Sequence, residues 1–404
     1  MGRQGFSAER LGRIDRHLQE KYVGRGLLPG AQLILARRGE VVHESVLGLA
    51  DMERGRGLEA DALYRIYSMT KPITSIALMM LVEEGRIALD DPVDRWIPEW
   101  KNLGVYVAGG LDGWLTKPCD RPMQVVDLMR HTSGLTYFLQ NRTTVDYAYR
   151  KTGVSTVPSD LTLEAQVAVL AALPLDFSPG EAWNYSVSTD IVGYLVQVVS
   201  GQPFQDFLRT RILDPLGMHE TDFQVPAGQQ DRLTACYNIK PRGLELQDDP
   251  ETSPFLAPPS FYSGGGGLVS TAADYLKFAQ MLVNRGQLNG VRIVSPATLR
   301  LMATNHLPGG RDLTQMSISL FSEATNAGVG FGLGFAVVFD PAKTLVPGSR
   351  GEFYWGGAAS TFFWIDPVEE LCAVFMTQAL PSSAYPVRRE LRTLVYAALE
   401  ETNA

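Results

Sequence analysis

Residues Tyr64 to Arg86 read YRIYSMTKPITSIALMMLVEEGR, and the period of the apolar residues changes once within them. Tyr64-Arg65-Ile66-Tyr67 is a short β-type run. From there the apolar residues fall at Ile73, Ile76, Ala77, Met80 and Leu81, the spacing of a helix with a wide buried face. Gly85 stands where a C-terminal cap is wanted. Ser68 therefore lies where a strand passes into a helix, with Lys71 one turn further on. Burial disfavours the charged form of an amine, so a desolvated Lys71 can take the Ser68 proton and make a nucleophile without histidine. The helix N-terminus adds a positive end and free N–H groups near the oxyanion that such an attack would create.

Ser-x-x-Lys is a weak signal by itself. Here it is the only match in the chain, and it precedes a strongly apolar helix, the context the motif requires. The plainer reading is a serine that caps a helix and a lysine that snorkels from its first turn. The quartet alone supports both equally, so the rest of the chain must decide.

A chain of 404 residues with 45% hydrophobic and 20% charged residues is an ordinary globular protein, long enough for one large core or two to three domains. The net charge of -8, with no Lys/Arg run, argues against nucleic acid as a partner. The three cysteines, Cys119, Cys236 and Cys372, form neither a disulfide framework nor a metal-type spacing, and the five histidines carry no metal signature. The first residues, MGRQGFSAERLGRIDRH, place charges where a signal peptide needs an apolar core. Gly2 suggests myristoylation, but Phe6 stands where Ser or Thr is wanted. No apolar run approaches membrane-spanning length. The expectation is a cytoplasmic protein with no membrane partner, no metal and no cofactor.

In order, Ser7 to Val23 reads as a capped helix. Ala31 to Ala36 and Val41 to Leu49 read as a hairpin turning at Arg37-Arg38-Gly39-Glu40. The middle reads as helical: Met123 to Arg130, Leu161 to Leu173, Val187 to Val199 and Phe204 to Leu213. Pro226 to Tyr262 reads as a long surface excursion. Gly264 to Gly267 lacks the Lys-Ser/Thr of a phosphate loop and reads as a close-packed turn. Thr271 to Asp274 reads as a capping box for a helix from Tyr275 to Val283. Gly332–Phe339, Glu352–Trp355, Ser360–Ile365 and Leu371–Thr377 read as strands, before a final helix from Val387 to Leu399. The fold class is thus α+β. The first and last parts, 1–90 and 265–404, share one antiparallel sheet flanked by terminal helices, and 91–264 is an inserted, mostly helical lobe.

Four features in this order carry a resemblance: Ser68-Met69-Thr70-Lys71, His131-Thr132-Ser133-Gly134-Leu135, Tyr185-Ser186-Val187 after the Pro179-Gly180 turn, and Trp355-Gly356-Gly357 on a late strand. Together they resemble the serine β-lactamase and penicillin-binding-protein fold, and within it the family VIII carboxylesterases, over nearly the whole chain. Lovastatin-type acyltransferases and 6-aminohexanoate-dimer hydrolases are similar. The resemblance implies that Ser68 attacks an acyl carbonyl and becomes acylated, while Lys71 and Tyr185 share the proton transfers. It implies an oxyanion hole made by the backbone N–H groups of Ser68 and Ala358. Trp355, Gly356, Gly357 and Tyr137 would border the substrate.

Two departures set the substrate class. Val187 stands where β-lactamases carry the Asn of Tyr-x-Asn, and Trp355 where they carry the Lys of Lys-Thr-Gly. Tryptophan offers an apolar face and one indole N–H in place of a cation for a substrate carboxylate. A literal Lys151-Thr152-Gly153 precedes the tyrosine motif in polar, non-strand sequence and is a coincidence. Beside these roles stand structural ones: Tyr185 as a packing aromatic next to Trp183, Trp355 as strand core, and His131 capping the end of its helix. The other esterase design, Gly-x-Ser-x-Gly, has no match in the chain. The expectation is a serine carboxylesterase hydrolysing short-acyl-chain esters, with possible weak β-lactam hydrolysis. The rivals are a β-lactamase or D-Ala-D-Ala peptidase, an acyltransferase, and a catalytically silent binding scaffold.

Overall fold

Along Gly30–Arg37 the side chains alternate between two apolar clusters, Leu33 and Leu35 in one, Ile34 and Ala36 in the other. The strands Phe362–Asp366 and Leu371–Met376 do the same: Phe362, Trp364, Ala373 and Phe375 face one way, Phe363, Ile365, Cys372 and Val374 the other. A sheet that is apolar on both faces must be covered on both. The computed structural model, which describes residues 3–155, 159–319 and 326–403, shows how. Gly2 lies outside the described residues.

The sheet has eight antiparallel strands in the order Val329–Phe331, Ala336–Val338, Phe353–Gly356, Phe362–Asp366, Leu371–Met376, Gly30–Arg37, Glu40–Asp51, Arg56–Gly57. The first hairpin and the C-terminal meander thus share one sheet, as the element order predicts. The helices Ala8–His17 and Val387–Ala398 cover one face through Leu11, Ile14, Leu391 and Val395. Ala272–Val283 packs on the other, with the helical layer beyond it.

The helix of the deciding stretch runs Thr70–Glu83 and is buried from Thr70 through Leu81. The apolar spacing predicts one wide buried face; the structure buries every face, because this helix lies in the middle of a layer against Ser188–Ser200. Its end matches a Schellman closure, with Gly85 N–H on Val82 O (3.0 Å), Arg86 N–H on Leu81 O (3.0 Å) and Gly85 at φ +69°. The preceding run is shorter than expected. Leu63–Arg65 is a strand paired with Val269–Thr271, and Tyr67–Met69 is already a tight 3-10 turn.

Other expectations need correction. Pro226 to Tyr262 is not a bare surface excursion: it contains the hairpin Cys236–Lys240/Gly243–Asp248, which pairs in parallel with Ala379–Leu380. The middle also carries a hairpin, Gly104–Gly110/Gly113–Pro118, whose glycines and exposed apolar residues hid its period. Gly332–Phe339 splits into the turn at 332–335 and the strand Ala336–Val338, since Gly334, at φ +106°, reverses the chain there. Thr271 caps its helix by accepting from Asp274 N–H (3.1 Å), but the Asp274 carboxylate accepts from Glu220 N–H and Thr221 Oγ1, so the box is not reciprocal. Lys151-Thr152-Gly153 ends the helix Thr144–Lys151.

The misread excursion has one clear task. Arg65, fully buried three residues before Ser68, donates to Asp248 (2.5 Å), Thr234 O (2.6 Å) and Ser253 Oγ (3.0 Å), all contributed by that segment. Gln378 brackets the Arg65 backbone, accepting from its N–H (3.2 Å) and donating to its carbonyl (3.1 Å). Replacing one partner of a buried ion pair leaves the other charged and unsolvated. Arg65→Met is therefore expected to lower unfolding stability by about 3–5 kcal/mol, read as a shift of the urea midpoint.

Candidate active site

The chain reaches Ser68 through a strained residue. Tyr67 sits at φ +44°, a conformation a bulky side chain rarely adopts without being held there. It turns the backbone out of the Leu63–Arg65 strand and presents the half-buried Ser68 at the start of the helix. Ser68 Oγ accepts from Tyr185 Oη at 2.6 Å and from Lys71 Nζ at 3.2 Å. Lys71 Nζ lies 4.7 Å from the Tyr185 ring centre and 5.6 Å from that of Tyr137. Ser68 and Lys71, one helical turn apart, and Tyr185, 117 residues after Ser68, thus meet around one oxygen atom.

Lys71 is buried, and its third direction is taken by the carbonyl of Gly265 at 2.6 Å. This explains the four-glycine run. A Cβ at Gly264 would lie 2.7 Å from Thr189 O, and one at Gly265 2.8 Å from the Asp190 carboxylate. Only glycines let this backbone pass between the Thr70–Glu83 and Ser188–Ser200 helices.

Sequence reasoning missed Asp190. Its fully buried carboxylate accepts from Ser263 Oγ (2.5 Å) and Gly265 N–H (2.9 Å), so it fixes the carbonyl that holds Lys71. Burial raises its pKa above the usual carboxylate range, while Lys71 and the two donors pull it back. An acid in the first turn of a helix looks like an ordinary dipole contact, and nothing in its own stretch points to the glycine run.

Tyr185 stands in an aromatic stack. Tyr137 lies parallel to it at 5.4 Å, Trp183 at 6.2 Å, Trp355 tilted at 5.5 Å, and His131 edge-on at 5.0 Å. His131 does not cap its helix with its side chain. That helix ends on backbone bonds, Arg130 N–H to Val126 O and Thr132 N–H to Asp127 O, while His131 Nδ1 lies 3.2 Å from Ser186 Oγ. Burial, helped by the nearby Lys71 charge, holds the His131 pKa well below its usual value, so the ring is neutral.

The Phe353–Gly356 strand completes the site. Ala336–Val338 pairs with it at Phe353 and Tyr354, so among the described residues Trp355 and the two glycines form an edge unpaired on that side even though the strand lies inside the sheet. Trp355 packs against Phe331 and Tyr185. A Cβ at Gly357 would fall 2.5 Å from Ile66 O and 2.2 Å from Thr361 Oγ1, so glycine is what brings this edge against the approach to Ser68. Gly356 faces the opposite side, toward Arg388 of the last helix. Ala358 follows in the turn that closes on Thr361.

A family model described as beta-lactamase matches residues 15–397. The chain belongs to the beta-lactamase family. Within the curated proteins it is 37% identical over 361 residues to an uncharacterized protein of Mycobacterium tuberculosis, covering 88% of this chain and 87% of that one. It is 31% identical over 402 residues to the esterase EstB of Burkholderia gladioli, covering 95% and 93%. Among solved structures it is similar to EstCE1, described as a hydrolase with promiscuous acyltransferase activity, with a TM-score of 0.79, 26% identity and 98% of each chain covered. The beta-lactamase-like fold expected from the sequence is thus the fold of this chain.

Two outcomes test the site's geometry. The stability that neutral His131 contributes is complete above pH 6.5 and is lost as pH falls below it, because the unfolded chain then takes up a proton that the folded chain does not. His131→Asn, tolerated at φ +58°, is expected to reduce the slope of unfolding free energy against pH between 6.5 and 5 by up to about 1.4 kcal/mol per pH unit, measured by urea titration at several pH values. Gly357→Ala must push the edge strand from Ile66; a displacement of this kind costs turnover roughly 100-fold, with ester hydrolysis rate as the readout.

Proposed function

We propose that this chain is a serine carboxylesterase acting on short-acyl-chain esters through an acyl-enzyme on Ser68. The observation that carries the reading is the placing of Ser68 Oγ between Tyr185 Oη and Lys71 Nζ. The esterase activity named for EstB and the hydrolase activity named for EstCE1 support it.

Each proposed step uses these groups. Ser68 Oγ bonds to the ester carbonyl carbon as its proton passes to the Lys71–Tyr185 pair, and the carbonyl electrons move onto oxygen. The backbone N–H groups of Ser68 and Ala358 hold that oxyanion. When the carbonyl re-forms, the C–O bond to the alcohol breaks and the alcohol leaves with the proton held by the pair. Water then attacks the acyl-enzyme, giving its proton to the same pair, and the acid departs as Ser68 Oγ is reprotonated. No metal or organic cofactor enters this scheme.

Trp355 in place of a lysine, Tyr137 and the Gly356-Gly357 edge would shape a site for a neutral acyl group rather than for a carboxylate. We place the site in the cleft between the sheet lobe (1–90 and 265–404) and the helical lobe (91–264). The three cysteines are unpaired and no helix of the described residues is long and apolar enough to cross a membrane; a cytoplasmic setting is part of the proposal. A second reading, acyl transfer to an alcohol, is favoured by the transferase activity named for EstCE1.

Turnover of p-nitrophenyl butyrate beside nitrocefin tests the proposal. Fast ester cleavage with weak lactam opening, abolished by Ser68→Ala, is expected. Lys71→Ala and Tyr185→Phe should each cost about 10³-fold or more, with the double variant little worse than either single one, since the residues act as a unit. Strong nitrocefin turnover would make the chain a β-lactamase instead. Adding butanol separates the second reading: butyl butyrate formed in excess of butyrate would make acyl transfer the main reaction.

A further inference from the structure

Arg388, in the first turn of the C-terminal helix, reaches the far side of the Trp355-Gly356-Gly357 edge. Its Nη2 donates to Gly357 O at 2.8 Å and to Thr361 O at 2.9 Å. Thr361 O also takes the N–H of Gly357 at 2.9 Å, and Gly357 O takes that of Ser360 at 3.2 Å, so the guanidinium closes both ends of the turn that contains Ala358. The guanidinium carbon stands 5.4 Å over the Phe362 ring. At Gly356 a Cβ would fall 2.6 Å from Arg388 Nη2, so the first glycine of the motif is the space the guanidinium needs. The two glycines therefore do different work on opposite faces of the strand: Gly357 admits the backbone that leads to Ser68, Gly356 admits Arg388.

The Gly357 carbonyl and the Ala358 N–H belong to one planar peptide unit and point in opposite directions. A charged donor on the carbonyl orients that unit, and it draws electron density through the amide so that the N–H on the other side becomes a stronger donor. We infer that Arg388 is a positioning residue of the oxyanion hole: from behind the strand, it aims and polarises the peptide whose Ala358 N–H receives the developing negative charge. The inference rests on the proposed roles of Ser68 and Ala358. Arg388 touches no substrate. Its effect falls on the tetrahedral state, where the oxygen carries charge, and little on ground-state binding.

The test compares wild type with Arg388→Met, Arg388→Lys and the exposed neighbour Arg389→Met. It measures kcat and KM for p-nitrophenyl butyrate, and the inhibition constant of butylboronic acid, whose Ser68 adduct mimics the tetrahedral state. For Arg388→Met, kcat is expected to fall about 10- to 100-fold, less than the roughly 10²–10³-fold cost of losing an oxyanion donor outright, with KM within threefold. The boronate constant should rise by a factor similar to the loss in kcat. Arg388→Lys keeps the charge and should fall between, and Arg389→Met should match wild type. Mere loosening of the fold would raise KM and lower the melting temperature without this paired change. A kcat within twofold of wild type, or a loss of kcat with the boronate constant unmoved, overturns the inference. If Arg388→Met does not fold, Arg388→Lys is judged by the same two criteria. Turnover that survives in Ser68→Ala would overturn the underlying reading; a silent Ser68→Ala beside fully active Arg388 variants would overturn this inference alone.

Discussion

A buried lysine is the constraint on which the rest of the structure depends. Lys71 lies on a helix buried on every side, and an amine in that position must find partners within the protein. It has a serine hydroxyl, the face of a tyrosine ring and one backbone carbonyl. To bring that carbonyl within reach, the chain threads glycines between two helices and fixes their backbone with the buried carboxylate of Asp190. The position of Ser68 is then a consequence of packing. Ser68 cannot move away from Lys71 without the strand at Leu63–Arg65 leaving its neighbours.

Strain and close approach supply the remaining precision. Tyr67 at φ +44° bends the chain just before the serine, and Gly357 lets the opposing edge come within reach of the Ile66 carbonyl. Neither feature gains stability in isolation. Both hold because the elements on either side, a strand pinned through Arg65 and a strand paired along Phe362–Asp366, are fixed independently. The aromatic stack around Tyr185 acts likewise, holding a phenol at 2.6 Å from the serine through ring contacts that no water can replace.

Much of this was legible in the sequence, for reasons particular residues make plain. The strand-to-helix change of period at Ser68 and the hairpin at Arg37–Glu40 are local signals, and they located the Ser68–Lys71 pair and the first two strands. Tyr185 and Trp355 became legible only as a set with Ser68 and Lys71, since each alone reads as packing. What escaped notice was non-local. Asp190 matters through a glycine run 75 residues away, and Arg388 through the carbonyl of Gly357, a backbone atom that leaves no trace in residue type. The Pro- and Asp-rich stretch after Pro226 read as excursion because its hairpin pairs with a two-residue strand near the C-terminus. His131 was read as capping the end of its helix, but its partner is Ser186 rather than the helix end.

The sheet order has a consequence for the birth of the protein. Gly30–Arg37 is synthesised long before Leu371–Met376, the strand it pairs with. The strand that carries Trp355 and the helix that carries Arg388 also come late. A chain growing from its N-terminus therefore holds Ser68 and Lys71 long before it can close the central sheet, and folding must wait for contacts spanning most of its length. Until then the serine has no fixed edge strand opposite it and the lysine helix has no finished layer above it. A chain that stops short of Phe353 therefore carries Ser68 and Lys71 without the edge strand that faces them in the fold.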